Sequence, residues 1–372
     1  MTTPTPTLTT TIGRRLPVHS ERPTSPDWVR ISGASAIALR FRSGRFSRPF
    51  AFGGINLLLD YDDGCRSDCS YCGLARTRPG AYRDKSFIRV EWPLVRTDDL
   101  VQRMAAHAGT LTRLCISMVT HPFAYRDTCD ITRRIRARVD TPLSILVAPP
   151  TLNRRRIEEL HALGADMIGV GLDAATEELF RTHRSDVPAG GAGLSWDKYW
   201  AVVADARDVF GAWKVNCHVL VGLGESDAEL VDLFVRLRDQ QVLSYLFCFN
   251  PEPDSRLGQQ PKAPLRRWRR IQLVKHLVES EGLQPGELDF DNAGNLTHLR
   301  AAPAPLQAAV DSGVPFLTNG CPGEQGEPGC TRPYGSYRPS EPFRDFPFQP
   351  TDSDLRQVRG ELALHEILEE AW

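Results

Sequence analysis

From Ile55 onward, short apolar runs alternate with longer segments at helical period, and no other feature constrains the fold of this chain as much. Parallel strands need a long crossover between them, usually a helix, so the alternation predicts βα units around a parallel sheet. Predicted strands cover 55–62, 113–120, 143–150, 167–174, 214–224 and 244–253, and predicted helices cover 92–109, 127–139, 153–164, 176–184, 196–211 and 226–241. A glycine-rich loop, PAGGAG, follows the fourth helix. Six such units in about 200 residues predict an α/β fold, a partial (β/α)6 TIM-type barrel; a doubly wound open sheet gives the same string.

With 372 residues, 41% of them apolar, the chain can bury a substantial core. A net charge of -1 gives no field to recruit nucleic acid or anionic lipid, and no apolar run is long enough to span a membrane. Nine cysteines without a hydrophobic signal segment point to a reducing, cytoplasmic setting, where clustered thiols are metal ligands or catalysts more often than disulfides. Residues 1–27 are Thr- and Pro-rich and are expected to be a disordered tail, with the barrel over 28–295 and a C-terminal extension over 296–372.

Barrel strands bury both faces, so polar side chains within them should point into the lumen. That parity selects Asn56 and Asp60 on the first strand, Cys115 and Ser117 on the second, Asp173 on the fourth, and Asn216 and His218 on the fifth. It sends Cys217 outward against the helices and leaves Cys248 undecided. Cys129, on a helix, reads as structural, and His121 at the end of the second strand is a further lumen candidate.

Directly after the first strand stands GCRSDCSYCG, with Cys65, Cys69 and Cys72 in CxxxCxxC spacing. A structural zinc site wants four closed ligands and no second pair lies nearby, whereas a 4Fe-4S cluster on three thiolates leaves one iron open. The spacing and its place after a barrel's first strand resemble the radical SAM superfamily. That resemblance implies that S-adenosylmethionine occupies the open iron, with Tyr71 near the adenine, Asp173 on a ribose hydroxyl, and Ser117 and Glu225 in the cofactor site. ISMVT, 116–120, stands where that superfamily carries a glycine-rich motif. VGLGE, 221–225, resembles a fifth-strand turn of biotin synthase, and reads equally well as a tight βα turn.

PDWVRISGASAIAL, INLLLDYDDGCRSDCSYCGLARTR, KSFIRVEWP, LCISMVTHP and WDKYW together resemble the biotin-synthase-related group that includes the archaeal-type two-component lipoyl synthases. The resemblance implies sulfur insertion at an unactivated carbon, with a second, auxiliary iron-sulfur cluster as the sulfur donor. GCPGEQGEPGCTRPY resembles that group's GCPxCxRPY ending, but with eight residues between Cys321 and Cys330. Cys115 would be the third ligand if the C-terminal loop folds over the barrel mouth. Biotin synthase's other lumen cysteines are matched by Leu146 and Asn216. Incidental loop thiols or a disulfide remain open for Cys321 and Cys330, and a small buried hydrophobe for Cys115. Arg332 reads either as a surface charge or as a donor to cluster or substrate. The aromatic, Pro-rich stretch YRPSEPFRDFPFQP suits a cover over the mouth, and the final helix suits docking on the outside.

The leading expectation is a radical SAM sulfurtransferase-type enzyme, with Cys321, Cys330, Asn216 and His218 at the chemistry. Its substrate would be a carrier-bound octanoyl chain, or a sugar, nucleoside or similar natural-product intermediate, with a flavodoxin or ferredoxin as electron donor and a paralogous partner enzyme. A single-cluster epimerase, dehydrogenase or mutase with a C-terminal cysteine as hydrogen donor is the alternative. An iron-sulfur scaffold or electron-transfer module is the third reading.

Overall fold

The computed structural model describes residues 23–185 and 194–368, so most of the expected N-terminal tail and the PAGGAG loop lie outside the described residues. The strands are β1 Trp28–Ile31, β2 Gly54–Leu59, β3 Leu94–Arg96, β4 Arg113–Ser117, β5 Leu143–Val147, β6 Met167–Asp173, β7 Val215–Val221 and β8 Leu243–Cys248, with a separate hairpin of β9 Leu288–Phe290 and β10 Leu296–Leu299. The main sheet runs β3-β1-β2-β4-β5-β6-β7-β8, and β2 to β8 are parallel in chain order. A doubly wound sheet reverses its strand order at a switch point; this one never does, so the fold is a singly wound partial TIM-type barrel.

All six predicted strands are present. The antiparallel ribbon of β1 and β3 is an addition, and it shortens the predicted helix at 92–109 to Thr97–Ala106, because Leu94, Val95 and Arg96 pair with β1 instead. The π-helical turn Arg181–Ser185 ends the helix begun at Glu177. Caps set the other boundaries. Ser226 and Glu229 form a reciprocal capping box at the helix Asp227–Asp239, and Asn153 caps Arg154–Ala162. Among the described residues no helix is long and apolar enough to cross a membrane.

A partial barrel has a seam between its first and last parallel strands, and the C-terminal extension is spent on it. The edge of β8 is capped by side chains: Asn319 Oδ1 accepts from the Leu246 N–H at 3.4 Å, and the Cys248 N–H donates to Ser336 Oγ at 3.4 Å. The aromatic stretch therefore runs along the side of the barrel rather than over the mouth, and Trp268, on the helix Leu265–Ser280, donates its indole N–H to the Arg344 carbonyl. The last helix, Asp352–Leu362, packs outside through Leu355, Val358 and Leu362.

Candidate active site

The cysteine loop leaves β2 at the C-terminal mouth and is fastened from two sides. Leu223 O can only accept, so His183 carries its proton on Nε2, 2.8 Å away, and its Nδ1 accepts from Ser70 Oγ at 2.8 Å. On the other side buried Asp68 binds Thr77 and Arg256, the latter at 2.9 Å. Cys65, Cys69 and Cys72 thereby line one cavity, together with Ser117, Asp173, His218 and Glu252.

Asp173 ends β6 beyond a register shift, in the left-handed region at φ 62°, a conformation Asp tolerates better than bulkier residues. Tyr71 Oη donates to its carboxylate at 2.5 Å and the Arg184 guanidinium lies 3.4 Å from it. Arg184 is itself buried, donating to Leu172 O and Tyr199 Oη. Burial drives the Tyr71 phenol well above its ordinary range, with the Asp173 charge adding to the effect, so it serves as a donor.

A second cavity lies below, lined by Cys115, Cys321, Cys330, Asn56, Ser144 and Tyr245 among others. Phe87, Ile88, Ser117, Leu146, His218, Phe247 and Gly335 line both cavities and form the boundary between them. Asn56, Cys115, Ser144 and Tyr245 stand near the starts of their strands, so this chamber is at the N-terminal bottom of the barrel. The expected loop over the mouth is thus corrected: the cysteine hairpin plugs the other end. Buried Arg113 fixes it there, donating from Nε to Pro322 O at 2.7 Å while held by Asp166 at 2.5 Å, and Thr112 Oγ1 donates to Gly329 O at 3.2 Å. Cys330 N–H donates to Cys321 O at 2.9 Å, which keeps the two thiols adjacent despite the long spacer. Two glycines permit this approach, since a Cβ on Gly320 would sit 2.0 Å from Cys330 O and one on Gly54 2.6 Å from Gly329 O.

Cys330 donates to Asn56 Oδ1 at 3.4 Å, and Asn216 Nδ2 lies 3.6 Å from Cys321 Sγ. Burial, reinforced by neighbouring thiols, pushes Cys115 up to about 11, and burial pushes Cys330 up to about 12, with Cys115 and Cys321 adding to it. Burial also pushes Cys65 up and Cys72 well up, each reinforced by Cys69. Such sets of crowded, buried thiols are suited to deprotonation by a metal centre, which supplies the missing positive charge. Among the described residues no three Cys, His, Asp or Glu side chains converge tightly enough for a single metal ion. Thiolates that each bind a different iron of a cluster need no such convergence, so the set of Cys65, Cys69 and Cys72 is compatible with the 4Fe-4S cluster.

His218 faces both cavities and is held neutral: burial, with Arg332 adding repulsion, lowers it to about 3. Arg332, the undecided charge, stacks on Phe247 at 3.7 Å and lines the lower cavity. Cys248 lines the upper cavity, while Cys217 and Cys129 are buried away from either one.

Four expected residues do not line the cavities, and Asn216, expected at the chemistry, is one of them: it is buried beside Cys321 with its Nδ2 donating to Ile168 O at 3.2 Å. Glu225 spends its carboxylate on Gly222 N–H and Leu223 N–H, both 2.8 Å, and on Arg267; the plain βα-turn reading holds for it, and the cofactor role is not carried further. His121 stacks on Tyr61 at 3.7 Å and binds Asp63. Asp60 lies past the end of β2 and pairs with Arg30 of β1 at 2.7 Å. Strand parity could not see the partners that β1 and the loops provide. Conversely Glu252, Arg184, Ser144 and Tyr245 were missed. Of these Ser144 and Tyr245 had a signal, as polar residues at the starts of apolar strands.

Residues 62–237 match the sequence model of the radical SAM superfamily, and this segment is a radical SAM domain. No curated protein matches the chain. Among solved structures, the FeFe-hydrogenase maturase HydG from Carboxydothermus hydrogenoformans is 16% identical, with TM-score 0.44, over 66% of this chain and 55% of that one. Methylornithine synthase, PylB, is 13% identical, with TM-score 0.47, over 91% and 87%. Coproporphyrinogen III oxidase, HemN, from Escherichia coli is 14% identical, with TM-score 0.37, over 64% and 53%. The chain spans about half the length of the HydG and HemN chains it matches.

Proposed function

With a radical SAM domain over residues 62–237 as the premise, we propose that this chain is an enzyme that inserts sulfur at an unactivated carbon of an elongated substrate. One observation carries the reading. Cys115, Cys321 and Cys330, spread over more than 200 residues of sequence, line a single chamber that shares a wall with the chamber of the cysteine triplet.

Cys65, Cys69 and Cys72 would hold a 4Fe-4S cluster whose open iron takes S-adenosylmethionine, and together these supply hydrogen-atom abstraction from carbon. Asp173, oriented by Tyr71 and Arg184, is a charged acceptor for a cofactor hydroxyl. Ser117, Leu146, His218 and Phe247 are where the reacting carbon would lie, between the two thiol sets. His218, kept neutral there, can hydrogen-bond a substrate without adding a charge. Cys115, Cys321 and Cys330 would hold a second cluster, which would supply the inserted sulfur as a co-substrate with its irons taking up the electron released, and a one-electron donor of the flavodoxin or ferredoxin type would reduce the first cluster. A carrier-bound acyl chain, as in lipoyl synthesis, and a sugar- or nucleoside-type intermediate are both compatible substrates.

Anaerobically reconstituted protein is expected to hold about eight irons per chain. Cys321→Ala should hold about half of that and still cleave S-adenosylmethionine. Four irons in the intact protein would overturn sulfur donation. The contacts from Asn56 to Cys330 and from Asn216 to Cys321 would then favour a thiol hydrogen donor in a single-cluster epimerase, which solvent deuterium in the product would reveal.

A further inference from the structure

The lower cavity abuts a groove at the barrel seam. This groove, on the outside of the barrel and lined by Ile37, Phe46, Pro49 and Pro339 among others, shares Ser32, Ala34, Val90, Pro333 and Tyr334 with that cavity. The shared residues lie at the barrel seam, where β1 and the helix after it face the C-terminal extension. The groove thus meets the thiol cavity at the seam, on the side of the barrel, through residues that are not among those lining the upper cavity.

Two backbone turns stand beside this junction, and both are strained. Ile88 and Arg89 have φ of 56° and 49°, and Arg332 and Tyr334 have φ of 36° and 68°. A β-branched residue such as Ile88 is a genuine outlier there, held only because its surroundings impose it. Arg338 donates to Ile88 O at 3.0 Å and to Arg89 O at 2.7 Å, while the Arg89 N–H donates to buried Glu252 at 2.5 Å. On the outer side the Ser47 N–H donates to Tyr334 Oη at 3.3 Å. These bonds fix both turns in place at the seam.

The lining changes character from cavity to groove. Within the cavity the side chains at the seam are mostly apolar or aromatic, Phe87, Ile88, Trp92, Tyr334 and Phe247, with one charge, Arg332, stacked on Phe247. In the outer groove the only charged lining side chains are Arg42 and Arg45. Glu91 pairs with Arg42, so the pair leaves Arg45 as the groove's net positive charge.

We propose that this seam is the substrate channel, and that it takes an amphiphile with an apolar stem reaching the thiol chamber and an anionic end, carboxylate or phosphate, resting at Arg42 and Arg45. This deepens the sulfur-insertion reading and rests on it for the identity of the stem as the reacting part. Admission from the side leaves the mouth free for the cofactor, so the two ligands bind independently.

Binding of decanoate, decyl phosphate and decanol to full-length reconstituted protein, followed by calorimetry, tests the channel. Both anions should bind, and decanol about three- to tenfold more weakly than the tighter of them. Ala34→Trp, which fills the junction, should abolish binding of all three; Val90→Trp serves if the first variant fails to bind S-adenosylmethionine normally. Arg45→Glu should weaken the anions several-fold and leave decanol unchanged. Tighter decanoate points to a free acid, and tighter decyl phosphate to a phosphate-linked arm. Absence of binding, binding indifferent to both tryptophan variants, or decanol binding as tightly as the anions would overturn the proposal. The iron count keeps the two readings apart. Eight irons without amphiphile binding sinks the channel alone, and four irons with binding intact sinks sulfur donation alone.

Discussion

The Tyr71 hydroxyl donates to the Asp173 carboxylate at 2.5 Å, tying the loop of the cysteine triplet to the far end of the fourth parallel strand. Across this bond the loop on the first strand and the strained end of β6 are set as one unit, with Arg184 beneath both.

Removing that donor should cost stability as well as cofactor affinity. Tyr71→Phe is expected to destabilise the protein by about 1–3 kcal/mol, the range for losing a hydrogen bond to a charged group. Asp173→Ala is expected to cost about 3–5 kcal/mol, because Arg184 is left as an uncompensated buried charge. Urea unfolding of the three proteins checks the order, and S-adenosylmethionine affinity should fall in the same order.

Arg113→Ala should free the cysteine hairpin from the barrel bottom. Its guanidinium is buried and holds the Pro322 carbonyl, so stability should drop by about 2–4 kcal/mol. In cluster-free protein, mass spectrometry should find Cys321 and Cys330 alkylated about tenfold faster, with Cys65 unchanged. Equal acceleration at all three thiols would mean global loosening and not release of the hairpin.

His218 makes stability depend on pH in a defined window. Its folded value of about 3 lies below the ordinary 6.5, so between those values the unfolded chain binds more protons than the native one. This contribution is fully present above 6.5 and is lost as pH falls toward 3. Between pH 6.5 and pH 5 the wild type should lose about 1–2 kcal/mol more than His218→Asn in denaturant unfolding. Parallel curves for the two proteins would show that the imidazole takes up a proton in the native state.

Arg89→Gly should stabilise the protein by about 0.5–1 kcal/mol, because glycine adopts φ 49° without the penalty that arginine carries there. A rise in thermal midpoint of a few degrees checks it. The main-chain bond from residue 89 to Glu252 survives the change, which limits the cost in order at the seam.

How much of this was legible in the sequence follows from where each signal resides. The six parallel strands carry theirs locally, as apolar runs between helical segments, and parity correctly put Cys115, Ser117, Asp173 and His218 on cavity walls. The ribbon of β1 and β3 is made of three- and four-residue strands, too short for a period to show. Parity failed for Asp60 because the strand ends before it, and the cofactor role that the resemblance implied for Glu225 failed because its partners are the backbone of its own turn and a distant arginine. The end of the barrel at which the C-terminal hairpin would sit had no local signal at all. It is decided by Arg113 and Thr112, some 200 residues away in the chain.

The hairpin under the barrel also fixes an order of events in synthesis. Cys72 leaves the ribosome about 250 residues before Cys321, a lead on the order of ten to fifty seconds. Once the last barrel strand ends at Cys248, Cys115 has no floor beneath it until Cys321 follows, about 70 residues later. The floor, once laid, brings in the two remaining thiols with it, so the vessel and its lower contents are completed in a single closing act.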